Sequence, residues 1–215
     1  MYKKESHSFE GEDLLIEKIL FDKMKITNGF YVDVGAHHPF AMSNTSLLYK
    51  KGWTGINIDA SPDAMNAFRE MRPRDTNINC GVGNRIGEFP FSIFRESFLN
   101  GFLSEQMLNY HIQRGCVFIR ELSVPVRPLR DILRDSIGDK AIDFMNIDVE
   151  GLDLEVIMSN DWGIYRPKLL CVEILPASDL RSVMAHPIVQ QLEALNFTLF
   201  SRLYFSCLFI DEAFL

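Results

Sequence analysis

No run of eighteen apolar residues occurs anywhere in the 215-residue chain, so no membrane-spanning helix is encoded, since one needs about 20. The opening stretch, Met1 to Asp13, is charged and polar and lacks the apolar segment of a signal peptide, which predicts a protein without a secretory leader. Cysteine is scarce and scattered: Cys80, Cys116, Cys171 and Cys207 form no CxxC pair, which removes the zinc-ribbon and dithiol-redox classes. Cys80, Cys171 and Cys207 sit in apolar, strand-like surroundings where thiols pack as small hydrophobes, and a reducing cytoplasm suits them. Basic runs are also missing. Lys and Arg number 22 against 29 Asp and Glu, a formal charge of -7, whereas a protein that wraps nucleic acid needs clustered cations for the phosphates; no nucleic-acid partner is expected. Internal repeats and low-complexity segments are absent as well.

What is present is the composition of one globular unit. With 47% hydrophobic and 24% charged residues, a chain of this length buries a substantial core, and residues 1–215 are expected to form a single domain. Glu12 to Met24 places Leu14, Leu15, Ile19 and Leu20 at helical spacing behind acidic residues, so residues 1–28 are expected to form a helical cover over a sheet. Gly29 to Gly35 reads as a short buried strand, Ser43 to Lys51 as a helix, and Trp53 to Asp59 as a second strand closing on an acid. Ser61-Pro62-Asp63 then opens a helix to Met71 with an N-cap hydroxyl and a first-turn proline.

Further strands are expected at Thr76 to Cys80, Gly87 to Phe94, Ser123 to Val126, Ile142 to Ile147 and Leu169 to Ile174, with helices at Pro128 to Ser136 and Leu152 to Ser159. This alternation predicts an α/β fold with a mostly parallel sheet covered by helices on both faces. His186 to Leu195 reads as a last helix, followed by Phe197 to Leu203 and Tyr204 to Asp211 as an antiparallel C-terminal hairpin. Residues 94–122 show neither period and are expected to form an insertion that binds the acceptor substrate. Phe91, Phe94, Phe98, Phe102 and Tyr110 offer it aromatic faces.

Ligands of open parallel sheets bind beyond the carboxyl ends of the strands, so the residues there are the candidates. Gly35 permits a tight turn beside Ala36, and Asp33 is placed to reach a ligand's ammonium group directly or through water. Asp59 follows about twenty residues beyond that turn, the spacing at which a carboxylate accepts from ribose hydroxyls, with Ala60 next to it. The full GxGxxG set is absent, and His37-His38-Pro39 stands where small residues admit a pyrophosphate, so a single nucleoside is favoured over a dinucleotide.

Gly81 and Val82, in the turn from Asn79 to Gly83, could present amides to an adenine edge. Ser43-Asn44-Thr45 caps the first helix, or Asn44 faces the ligand. Asp148 and Glu150 end an apolar strand before Gly151. Either could take the proton of an attacking hydroxyl, or both could join Glu173 around a divalent metal ion. His37 is a third candidate base.

Together Ser8-Phe9-Glu10-Gly11-Glu12-Asp13, Tyr31 to Pro39, Ser43-Asn44-Thr45, Gly52 to Asp59 and Ile147-Asp148-Val149-Glu150-Gly151 resemble the FkbM-type methyltransferases. His37 replaces that family's usual Asn, and Leu152-Asp153-Leu154-Glu155 departs from its usual small residue and acid, leaving open whether Asp153 or Glu155 faces the pocket. The order His38-Pro39, Ser43-Asn44-Thr45, Gly52-Trp53 resembles a bacterial branch of the family, and Arg72-Pro73-Arg74-Asp75 and Leu99-Asn100 look like that branch too.

The resemblance implies a Rossmann-like class I methyltransferase fold with a seven-stranded sheet, S-adenosylmethionine as donor, and O-methylation of a sugar, glycan or natural product. It implies cofactor contacts at Asp33, Gly35, Asp59 and Asp148, with Glu150 near the reaction centre. Two rivals stand beside it: a nicotinamide-dependent oxidoreductase or sugar-modifying enzyme, and a catalytically silent nucleoside-binding subunit. The Phe-rich end, Leu203 to Leu215, completes the core or forms an interface, so a monomer or a homodimer is expected, with a small-molecule or glycan acceptor as partner.

Overall fold

The computed structural model describes residues 4–175 and 179–215; the first three residues of the expected N-terminal cover lie outside the described residues. In chain order the strands are β1 (Phe30–Val34), β2 (Thr54–Asp59), β3 (Thr76–Asn79), β4 (Gly81–Val82), β5 (Gly87–Phe94), β6 (Phe118–Arg127), β7 (Phe144–Ile147), β8 (Leu169–Glu173), β9 (Phe197–Arg202) and β10 (Ser206–Asp211). The α-helices are α1 (Glu12–Glu17), α2 (Ser46–Lys50), α3 (Pro62–Met71), α4 (Glu105–Gln113), α5 (Leu129–Ser136), α6 (Asp153–Ser159), α7 (Leu180–Met184) and α8 (Pro187–Ala194).

Seven strands form one sheet in the order β3-β2-β1-β7-β8-β10-β9. The pairs β1–β2, β2–β3, β1–β7 and β7–β8 are parallel, while β10 runs antiparallel to both β8 and β9. The Rossmann-like α/β architecture and the antiparallel C-terminal strands are therefore as expected. The chain builds outward from β1 through β2 and β3, then returns to the other side of β1 with β7. That reversal opens a crevice at the carboxyl ends of β1 and β7, where ligands of such sheets bind.

All five residues of β1 are buried, because the sheet is covered on both faces and alternate side chains feed different cores. Val32, Val34, Ile56, Ile58, Met145, Ile147, Leu170 and Val172 pack against Leu129, Ile132 and Leu133 of α5, Val156 and Ile157 of α6 and Val189 and Leu192 of α8. Tyr31, Trp53, Phe144, Leu169, Cys171, Leu208 and Ile210 pack on the other face against Ile16, Ile19, Leu20 and Leu48. Each such side chain contributes about 1.5–3 kcal/mol on burial.

Several boundaries differ from expectation. The leading helix is α-helical only through Glu17 and continues as a π-helix over Lys18–Lys23. The helix expected at Ser43 starts at Ser46, because Ser43 Oγ accepts the Ser46 amide at 3.2 Å while Asn44 and Thr45 turn toward the sheet.

Residues 94–122 are far from irregular. A 3-10 turn, α4 and the first half of β6 occupy most of them, and β5, β6 and β4 form a second, three-stranded sheet. The pattern was unreadable because α4 buries no residue and Phe118 to Glu121 are exposed. Without a buried face there is no selection for an apolar period.

One buried cation ties the layers together. Arg72, at the end of α3, is fully buried. Its Nε donates to Asp75 at 2.9 Å, Nη1 and Nη2 each donate to Thr45 Oγ1 at 3.1 Å, Nη1 also to the Pro39 carbonyl at 3.2 Å, and Nη2 to the Tyr31 hydroxyl. The rings of Tyr31, Tyr49 and Phe68 surround the guanidinium at 5.3, 4.9 and 5.0 Å. Gly55 leaves the space through which the Tyr31 ring passes, since a Cβ there would lie 2.1 Å from it.

Arg72→Met keeps the volume but leaves the Asp75 carboxylate without its counter-charge. Urea unfolding should show a loss of about 3–5 kcal/mol. Arg72→Lys should recover only part of it, because an ammonium cannot reproduce the planar fork.

Candidate functional site

At the end of β1 the backbone turns through Gly35, whose φ is 79°, and a Cβ at this position would lie 1.7 Å from the Asp148 carbonyl oxygen. Only glycine lets the first loop press against the loop after β7. The amides of Gly35 and Ala36 both donate to the Ile58 carbonyl, at 2.9 and 3.2 Å, which locks the turn to β2. His37 also has a positive φ, 53°. Its amide donates to Asp59 Oδ2 at 2.9 Å, and its Nε2 lies 3.0 Å from Ser97 Oγ of the insertion.

Asp59 ends β2, and its second oxygen accepts the Ser61 amide at 2.7 Å. Burial raises its pKa, against those two amides. Each oxygen retains a further lone pair for a ligand. Asp33 is fully buried inside the wall, bonded to Thr45 Oγ1 at 2.6 Å and to Asn146 Nδ2 at 3.0 Å. Asn146 in turn accepts from Asn44 Nδ2 at 2.9 Å. Both Asp33 oxygens are thus engaged by the protein, so its part in a site runs through Asn146 and Thr45.

The loop after β7 carries Asp148 and Glu150, with Glu150 at φ 54°. Asp153 Oδ1 and Oδ2 accept the amides of Val149 and Gly151, each at 3.1 Å, and clamp that loop. Burial pushes the Asp153 carboxyl up to about 6. The Asp148 carboxyl is held well above the usual range by burial and by the neighbouring charges of Glu173, Asp153 and Glu150. Glu173, the last residue of β8, is pushed up to about 8 by burial and by Glu150, Asp153, Glu10 and Glu12.

All of these groups except Asp153 line one cavity of about 830 Å³ at the carboxyl end of the sheet. Among the described residues its walls hold eight carboxyl groups, Glu10, Glu12, Asp33, Asp59, Asp63, Asp148, Glu150 and Glu173, and no Lys or Arg. Gly35, Ala36, His37, Asn44, Ala60, Gly81 and Val82 line it too, so most of the residues singled out in the sequence share one cavity wall.

Several details are corrected. Gly81 and Val82 do not lie in a flexible loop; they form β4, paired with Val126 and Arg127 of β6. Neither Asp153 nor Glu155 reaches the cavity. Phe91, Phe94, Phe98 and Phe102 line it, whereas Tyr110 packs on His111 and Arg114 outside. Asp148, Glu150 and Glu173 approach the same end but, among the described residues, no three His, Cys, Asp or Glu side chains form a group able to hold a metal ion.

Sequence reasoning gives no site role to the residues that close the far end, namely Phe9, Glu10 and Glu12, which it places in a covering segment and among the motifs of the resemblance. Glu10 accepts the Phe205 amide at 3.0 Å, Glu12 accepts the Ser206 hydroxyl at 3.1 Å, and Phe9 stacks on Phe205. The acid-rich run Glu10 to Asp13 was their visible signal. Asn146 was missed as well; a lone amide inside the buried strand β7 marks a polar network because buried amides need partners.

The family model for the methyltransferase FkbM domain matches residues 33–199. The chain belongs to the FkbM methyltransferase family. Its match runs from Asp33 at the end of β1 into β9. A comparison with curated proteins finds no match. Among solved structures, one titled a crystal structure of the small RNA methyltransferase HEN1 is similar at 14% identity and a TM-score of 0.39; the alignment covers 99% of this chain and 27% of that one. This chain spans about a quarter of the length of that one.

The raised carboxyls bear on stability. A group whose folded pKa lies above its unfolded value stabilises below the unfolded value, and that contribution is lost as pH rises through the folded value. For Glu173 the window runs from 4.5 to about 8. For Asp153 it runs from 3.8 to about 6. The ligand-free FkbM domain should therefore melt at progressively lower temperature between mildly acidic and mildly alkaline pH. Glu173→Gln should flatten the upper part of that fall in a calorimetric series.

Proposed function

We propose that this FkbM methyltransferase transfers the methyl group of S-adenosylmethionine to a hydroxyl of a sugar, glycan or natural-product acceptor. The observation that carries the reading is the cavity itself: a nucleoside-type acid, Asp59, oriented by two amides beside a glycine turn, in walls that among the described residues carry eight carboxyl groups and no Lys or Arg. That wall suits a ligand with a sulfonium and an ammonium charge. It opposes a pyrophosphate, which needs amides or cations, and so weighs against the nicotinamide reading.

The donor set fits the cofactor. Asp59 would accept from its ribose hydroxyls, and Gly35 would admit the methionine end, with Asn44 and Asn146 beyond it. Ala60, Gly81 and Val82 would flank the base. When bound, the cofactor supplies an electrophilic methyl group. The protein's own task is to orient the acceptor oxygen, exclude water and hold the proton that leaves it. Asp148 and Glu150 stand at the reacting end, and His37, whose pKa burial lowers, is a neutral donor or acceptor there. The insertion from β5 through α4 to β6 forms the acceptor side, with Phe98 exposed at its rim. Residues 1–215 act as one unit in this reading.

Calorimetric titration with S-adenosylmethionine tests it. Asp59→Ala removes hydrogen bonds to a charged acceptor, worth about 1.5–3 kcal/mol, and should weaken binding by about 10- to 100-fold. Absence of binding by the intact chain, or equal binding by the variant, would overturn the cofactor assignment. Phe98→Ala should leave that affinity unchanged and raise the KM of the acceptor.

A further inference from the structure

The hydrogen-bond donors in and around the cavity are unevenly shared among its acids. Glu10 takes the backbone amide of Phe205, Glu12 takes the Ser206 hydroxyl and the Glu10 amide, Asp153 takes two amides of its loop, and Asp59 takes two more. Glu173 lies opposite Ser206 in the β8–β10 ladder, yet the hydroxyl of that serine is given to Glu12. Glu173 Oε2 is buried and has no hydrogen-bond partner, and no other carboxyl oxygen among the described residues is in that position.

The charges that face Glu173 are all of its own sign. From the loop after β7 come Asp148 and Glu150, from α6 Asp153, and from the N-terminal segment Glu10 and Glu12. Among the described residues no Lys or Arg lines the cavity. A buried carboxylate without donor or counter-ion is costly, so the group either stays protonated or waits for a cation.

We propose, on the methyl-transfer reading above, that Glu173 is the base of the reaction: it holds a proton before the cofactor binds, yields it to solvent as the sulfonium charge enters, and takes the acceptor's hydroxyl proton during transfer. The balance closes. The bond from acceptor oxygen to methyl forms as the bond from sulfur to methyl breaks. The sulfonium becomes a neutral thioether, and the hydroxyl proton neutralises the Glu173 carboxylate. Loss of the positive charge and return of the proton to Glu173 thus coincide, and the carboxyl ends in the form its surroundings favour.

Binding calorimetry in buffers of different ionisation enthalpy counts the protons released. Near neutral pH, S-adenosylmethionine should release close to one proton from the native chain. Glu173→Gln, which keeps the shape, should bind within a few-fold of native affinity and release almost none. The demethylated product, which lacks the sulfonium, should release little from the native chain. Carbon-13 NMR of glutamate carboxyls in the ligand-free protein should show one resonance titrating near pH 8, where burial and its acidic neighbours place Glu173, and missing in the variant.

No release from the native chain overturns the inference, as does equal release from Glu173→Gln. Release abolished by Asp148→Asn but kept by Glu173→Gln overturns it also, by moving the proton to Asp148. Should the cofactor not bind, the methyl-transfer reading falls. The NMR titration still decides separately about Glu173, and a midpoint in the ordinary carboxylate range overturns its assignment.

Discussion

The buried Arg72 guanidinium is the point from which the rest of the architecture hangs. It lies between three aromatic rings and gives its protons to Asp75, Thr45, Tyr31 and the Pro39 carbonyl. Those partners come from α3 and its exit, from the segment ahead of α2, from β1 and from the loop after it. Asp75 carries the connection onward by accepting the Gly55 amide at 2.9 Å and Asn57 Nδ2 at 3.0 Å. A charge without water must have its full complement of partners, and satisfying this one fixes where four segments meet.

The same network reaches the site. The Thr45 hydroxyl, which accepts from Arg72, donates to Asp33, and Asp33 accepts from Asn146, which holds Asn44 at the cavity wall. The polar wall of the site is thus the end of a chain that begins at a structural cation 0% exposed. Such satisfied networks rigidify what they touch. Asp33 therefore has a different part from Asp59, although both stand at strand ends. Asp33 is spent within the protein, while Asp59 is oriented by amides that leave lone pairs for a ligand.

Much of this was legible in the chain. β1, β2 and α3 were marked by a short apolar run stopped by glycine, a second run closing on an acid, and Ser61-Pro62 at a helix start; Ser61 Oγ does accept the Ala64 amide. Asp59 stood out by its spacing from the glycine turn and by the resemblance, and it lines the cavity. The carboxylates after β7 were found, but their division of labour was not, because spacing cannot tell which acid turns back to clamp its loop. Asp153 does so, and it leaves Asp148 and Glu150 to the cavity. The insertion hid for another reason: β6 begins exposed and α4 buries nothing, so neither leaves a period. Phe9, Glu10 and Glu12 hid because their role depends on Phe205 and Ser206, nearly two hundred positions away, and no local pattern encodes such a contact.

The placement of Glu173 shows how register can set chemistry. β10 runs antiparallel to β8 and pairs Ser206 with Glu173, so a hydroxyl donor stands beside the carboxyl. The N-terminal segment then brings Glu12 to the same strand end and takes that hydroxyl. Had the segment ended elsewhere, Ser206 would be free to donate to Glu173 and favour its charged form, as the amides of His37 and Ser61 do for Asp59 against its burial. Moving one donor from one carboxylate to another leaves Glu173 Oε2 buried without a partner in an acidic cavity. In a low-dielectric site an uncompensated acid is one whose charge answers to the next cation that arrives.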